Sequence, residues 1–168
     1  RQNLRINWRQ KLDDLPAISS WDEITHLILL PTYKEDLSII EAAVNGLLST
    51  NYPSNKMIVV LAQEERAGGD LNAVITKQIE IKYADKFLVI KTVVHPSNIS
   101  GELAGKGSNI AWAGKYAKRE FIDKLVLSYD KVLVSAFDVD TVVYPEYFAR
   151  LTYVFLTTHN PLRTSYQP

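Results

Sequence analysis

Val132-Leu133-Val134-Ser135-Ala136-Phe137-Asp138-Val139-Asp140 is an apolar run closed by two carboxylates, one residue apart. The run does not alternate apolar with polar residues, which is the pattern of a strand covered on both faces in a parallel sheet. Three runs of the same kind precede it: Leu27 to Leu30, Met57 to Ala62 and Phe87 to Val94. Helical patterns lie between them. Leu37, Ile40, Val44, Leu47 and Leu48 recur at helical spacing, and the stretch from Asn51 to Asn55, with Tyr52-Pro53 inside it, ends that helix. A second helix is predicted from about Asp70 to Tyr83, burying Leu71, Val74, Ile75, Ile79 and the Ile81-Tyr83 pair. A third follows Gly107, and a fourth follows Pro145, a residue suited to a first helical turn.

The order is strand and helix four times over, with a fifth strand predicted from Arg163 to Gln167. Such alternation predicts an α/β fold: a doubly wound, mostly parallel sheet with right-handed crossovers. Residues 25–168 make up this domain. Residues 1–24 stand outside the pattern, where Trp8, Leu12, Leu15, Ile18 and Trp21 could build a packing arm or a linker and Pro16 limits helix.

At 168 residues and 46% apolar composition the chain is one domain with enough material for a core. Basic and acidic residues balance at 19 each, so no global field draws nucleic acid or an anionic membrane, and any anion site must be local. The absence of cysteine excludes disulfides and thiolate metal sites. No apolar stretch approaches the roughly 20 residues that span a bilayer. A start at Arg1 without methionine and a stop at Pro168 are expected of a segment from a longer protein.

In an open parallel sheet the ligand sits beyond the carboxyl ends of the strands. The residues at those places are polar: Pro31 to Glu35 after the first run, Gln63 to Arg66 after the second, His95 to Lys106 after the third, and Asp138 and Asp140 after the fourth. The two aspartates are too far before the helix at Pro145 to cap it, and paired carboxylates favour Mg²⁺ or Mn²⁺ with a phosphate-bearing ligand. Lys106-Gly107-Ser108-Asn109 opens the third helix, where free N–H groups and a lysine can meet an anion. Tyr33 could stack on a base or simply pack, and Glu35 suits a first helical turn. His26, His95 and His159 have no ligand spacing and are given no role.

With PTYKE at Pro31–Glu35, an acidic pair after the second run, GKGSN at Gly105–Asn109 and FDVD at Phe137–Asp140, the sequence from about Thr25 to Pro168 resembles the family 2 glycosyltransferases of the GT-A fold. The resemblance implies that Pro31, Thr32, Tyr33 and Glu35 line a nucleotide pocket. Glu64 or Glu65 then approaches the base, and Lys106 and Asn109 form the K-x-x-N element beside the nucleotide. Ala111 stands where many relatives carry a further asparagine. Asp138 and Asp140 match the D-x-D motif, which holds a divalent metal against the donor diphosphate.

The implied reaction is transfer of a sugar, with inversion, from a nucleotide diphosphate sugar to an acceptor hydroxyl on a glycan, a lipid or a small molecule. Uridine diphosphate is the nucleotide by family habit, with guanosine and thymidine donors as alternatives. The family supplies its general base well downstream of the D-x-D, beyond Pro168. Relatives with a similar lead-in face the cytoplasm and are followed by membrane helices, which implies a cytoplasmic domain of a membrane-bound parent.

Two other classes compete. FDVDTV is also similar to the motif of haloacid-dehalogenase phosphatases, which lies on the first strand and has its remaining motifs after it. A non-catalytic nucleotide-binding module that has kept the fold is the other. A nicotinamide-binding domain fails, because PTYKEDLS contains no glycine.

Overall fold

Thr25–Thr32 (β1), Met57–Glu64 (β2), Val89–His95 (β3) and Val132–Ala136 (β4) pair in parallel, in the order β3-β2-β1-β4. The computed structural model describes residues 5–16, 20–103 and 105–166, and within 69–73 the backbone only. Ile18, the Leu71 side chain and Gln167 lie outside the described residues. Among the described residues five α-helices accompany the sheet: α1 (Trp8–Asp13), α2 (Leu37–Leu48), α3 (Gly69–Tyr83), α4 (Lys106–Ala117) and α5 (Tyr147–Thr157). The sheet is the doubly wound α/β arrangement predicted from the alternation of runs.

Successive side chains of a strand point to opposite faces, so the apolar runs of β1 and β2 feed two cores at once. Ile28, Leu30, Val59 and Leu61 face Ile40, Val44 and Leu47 of α2, Ile79 of α3 and Phe148 of α5, with Trp8 and Leu12 of α1 in the same cluster. Leu27, Leu29, Ile58, Val60 and Ala62 face Ala113 and Ala117 of α4, and Ile122 beyond it. Each aliphatic side chain buried so completely contributes about 1.5–3 kcal/mol. α1 is capped by the Asn7 side chain, which accepts from the Gln10 N–H at 2.8 Å.

Three features depart from the sequence reading. β4 is not covered on both faces: Leu133 and Ser135 are buried, but Val134 is 61% exposed. α4 lies chiefly over β1, β2 and β3, and β4 is an edge strand of which Val132 alone packs against the α4 cluster. Among the described residues the fifth strand, expected from Arg163 to Gln167, is also absent. Pro161–Arg163 form a 3₁₀ turn and residues 164–166 lie in no strand. That segment bonds to itself instead, through Thr164 Oγ1 to Asn160 O (2.9 Å) and Tyr166 Oη to Pro161 O (3.3 Å), leaving a cleft of ≈ 690 Å³ with mixed polar and apolar walls between it and β4. Finally, Val74 and Ile81 of α3 are exposed. They are seven residues apart and so share one azimuth, beside the buried stripe of Ile79 and Tyr83.

Candidate functional site

Connections from β1 run through β2 to β3 on one side, and the chain then returns to place β4 on the other side of β1. The carboxyl ends of β1 and β4 are therefore the switch point of the sheet, where a crevice opens. A cleft of ≈ 330 Å³ lies there. Pro31, Thr32, Tyr33 and Glu35 reach it from the end of β1, Glu64 from β2, Lys106 and Asn109 from α4, and Asp138 and Asp140 from beyond β4. The structure thus brings together in one cleft all the residues to which the resemblance gives a nucleotide or metal role except Glu65.

The two aspartates share the cleft because of the residue between them. Val139 is 4% exposed and sits in the core, and Thr141 N–H donates to Asp138 O at 2.8 Å to close a turn, so both carboxylates project outward. Lys106 Nζ donates to Asp138 Oδ1 across the cleft. Gly105 precedes α4; its N–H donates to Ser108 Oγ at 3.1 Å, and Ser108 Oγ donates to Gly105 O at 2.7 Å. Those bonds fix the first turn of α4 and with it Lys106.

Asn109 is buried, and its Nδ2 donates to Ala62 O of β2 at 2.6 Å. Its Oδ1 has no hydrogen-bond partner, and neither does the buried Thr32 Oγ1. Two buried acceptors at a cleft lined by Lys106 leave bonding capacity for a polar ligand. Glu35 Oε2 accepts from Tyr33 N–H at 2.6 Å, shaping the turn that leaves the Tyr33 ring half exposed at the mouth.

Glu64 and Glu65 separate cleanly. Glu64 is buried in the cleft and ion-paired with Arg66. Glu65 turns away, where the backbone N–H of Ser97 (2.6 Å) and then its hydroxyl (2.7 Å) hold the carboxyl below its ordinary range.

Glu64 also borders a second cleft of ≈ 350 Å³ with Arg66, His95, Ser97 and Glu102. His95 pairs in register with Glu64 and is buried against Trp112 at a ring distance of 5.4 Å. Its Nε2 lies 3.4 Å from Glu102 Oε1 without a hydrogen bond. Neither His95 nor Arg66 has a role expected from the sequence. The signal available was position alone, at the carboxyl ends of β3 and β2. His26 is a core residue and His159 is exposed on a turn.

By fold and site this is a parallel α/β domain with a cleft of carboxylates, lysine and buried amide at its switch point. No protein-family model matches the chain, and no curated protein matches it. Among solved structures it is similar to the mannosyltransferase PcManGT from Pyrobaculum calidifontis in complex with GDP-Man and Mn²⁺, at 17% identity and a TM-score of 0.49. The match covers 87% of this chain and 37% of that one, so this chain spans little more than a third of that protein's length.

Proposed function

We propose that this chain is the donor-binding part of a glycosyltransferase, taking a nucleotide diphosphate sugar for inverting transfer to an acceptor hydroxyl. The observation that carries the proposal is the convergence of Lys106, Asp138 and Asp140 at the switch point, with Glu64 one strand away on the far side of β1. Neighbouring strands are about 4.8 Å apart, so a ligand laid along this edge has its diphosphate between β4 and β1 and its nucleoside over β2. The second cleft, past Glu64, gives the nucleoside end further room.

Asp138 and Asp140 offer carboxylate oxygens only, the donor set of Mg²⁺ and Mn²⁺. Among the described residues no group of three His, Asp or Glu is placed to hold an ion; Asp138 and Asp140 are the residues that would hold it. When bound, the ion supplies Lewis-acid stabilisation of charge on the diphosphate. Lys106 exchanges its bond to Asp138 for one to a phosphate oxygen, beside the N–H groups at the start of α4. Glu64 accepts a base N–H while Arg66 holds its carboxylate in place. The proton of the acceptor hydroxyl needs a general base on the acceptor side, a role for no residue of this donor cleft.

The phosphatase reading needs its nucleophilic aspartate at the end of the first strand. β1 ends instead in Thr32, and Asp138 follows β4. The test is calorimetric titration with uridine and guanosine diphosphates, with and without Mn²⁺, on the wild type and Asp140→Asn. Binding that requires both the metal and Asp140 is the expected result; metal-independent binding, or equal affinity in the variant, overturns the assignment.

A further inference from the structure

We infer that residues 141–146 form a strap that sets the position of Asp140, and that Gly46 of α2 is its positioning residue; the inference rests on the donor-site reading above. The strap carries no helix or strand of its own, yet it is held along its length. At its start the Asp138–Thr141 turn joins it to the buried Val139. At its end Asn51 N–H donates to Pro145 O at 2.8 Å, Asn51 Nδ2 donates to Glu146 Oε1, and Glu146 Oε2 accepts from the Arg9 N–H of α1 at 2.9 Å.

The middle of the strap meets α2 at Gly46. A Cβ placed there would lie 3.3 Å from Val142 Cγ1 and 3.6 Å from the Val143 backbone nitrogen. Gly46 lies inside a helix and is not among the residues of positive φ, so no backbone requirement explains a glycine. Glycine inside a helix is less stable than alanine there, and close approach of the strap is the compensating reason. Val142 is two residues from Asp140 and its side chain is exposed, so whatever part of the crowding its Cγ1 does not relieve by rotating is passed to Asp140 through the Val142 and Val143 backbone, 3.6–3.7 Å from the added Cβ.

The experiment is a mutant cycle of Gly46→Ala, Val142→Ala and the double variant, with two readouts. One is affinity for uridine diphosphate with Mn²⁺; the other is hydrogen exchange at the amides of Val139 to Val143. Gly46→Ala is expected to keep or raise Tm, because the helix gains an alanine, while affinity falls about fivefold, since a misplacement near 1 Å costs on the order of a hundredfold and this shift is a few tenths. Amide exchange rises in the strap alone. Val142→Ala removes the crowding, so the double variant regains affinity, with exchange in the strap no higher than that of Val142→Ala alone. A role in stability alone would move Tm and leave the affinity of the folded protein unchanged.

The inference is overturned if Gly46→Ala matches wild type in both readouts, or if the double variant stays as impaired as Gly46→Ala. Should wild type fail to bind nucleotide with Mn²⁺, the donor-site reading falls, and the exchange readout still decides whether Gly46 positions the strap. If Gly46→Ala does not fold, Val142→Ala carries the test from the other side: lost contact must raise exchange at Val139 to Val143, and unchanged exchange overturns the inference.

Discussion

Lys106 Nζ, in the first turn of α4, meets Asp138 Oδ1, beyond the end of β4, so opposite charges bridge the two walls of the cleft. Both side chains are more than half exposed, at 54% and 64%, and such a pair adds about 0–1 kcal/mol to stability. A charge-assisted bond from the same lysine to a diphosphate is worth about 1–3 kcal/mol. Lys106→Ala is therefore expected to leave Tm nearly unchanged and to weaken diphosphate binding by that amount in calorimetric titration. Equal affinity would leave Lys106 as a solvated side chain that happens to neutralise Asp138.

The neighbours Glu64 and Glu65 should part company in the same assay. Glu64 faces the cleft with Arg66, whereas Glu65 is spent on Ser97. Glu64→Gln is expected to weaken uridine diphosphate by about 1–3 kcal/mol while leaving inorganic diphosphate alone, because only the nucleoside end loses its acceptor. Glu65→Gln should leave both affinities unchanged and raise hydrogen exchange at Ser97. A Glu65 variant that lost nucleotide selectivity would reverse the assignment.

That choice between two glutamates shows where sequence reading stops. The convergence of Thr32, Asn109, Asp138 and Asp140 on one cleft was legible because each lies at or just beyond a strand end or in the first turn of a helix, and parallel topology sends all such ends to one edge. Which of two adjacent acids faces the cleft depends on a turn and on Ser97, more than thirty residues away. The exposure of Val134 was hidden for a related reason: Val132 to Phe137 has the local pattern of a covered strand, and only the order β3-β2-β1-β4 reveals an edge. The false fifth strand followed from composition alone, since Arg163 to Tyr166 has strand-like residues but bonds back to Asn160 and Pro161.

Asn109 serves both the fold and the cleft, and two substitutions can separate these duties. Its Nδ2 holds Ala62 O while Oδ1 stays free. Asn109→Ala removes the side-chain bond that ties α4 to the Ala62 carbonyl of β2 and is expected to cost about 0.5–1.5 kcal/mol in urea unfolding. Asn109→Asp sets a carboxylate against that carbonyl and should cost more. If either variant is as stable as wild type, the bond to Ala62 is not what fixes α4 to β2.

The fold also carries a pH dependence away from the cleft. His26 is fully buried on β1, with Nε2 2.9 Å from Thr152 Oγ1, Nδ1 unpartnered, and its ring edge-on to Tyr52 and Phe148. Burial pushes the imidazole down from 6.5 to about 3. Between those values the unfolded chain binds a proton that the folded chain refuses, so stability falls as pH falls, by up to about 1.4 kcal/mol per pH unit. Above pH 6.5 both states are neutral at this residue and its contribution is complete. From pH 7 to pH 5 the expected loss is about 2 kcal/mol, measured by urea unfolding at each pH. His26→Gln should be less stable at pH 7, with a hydrogen-bonding side chain poorly matched to the aromatic cage, yet should lose about 2 kcal/mol less than wild type on acidification. The same slope in both proteins would assign the acid sensitivity to other groups and mean that His26 takes up its proton alike in the folded and the unfolded chain.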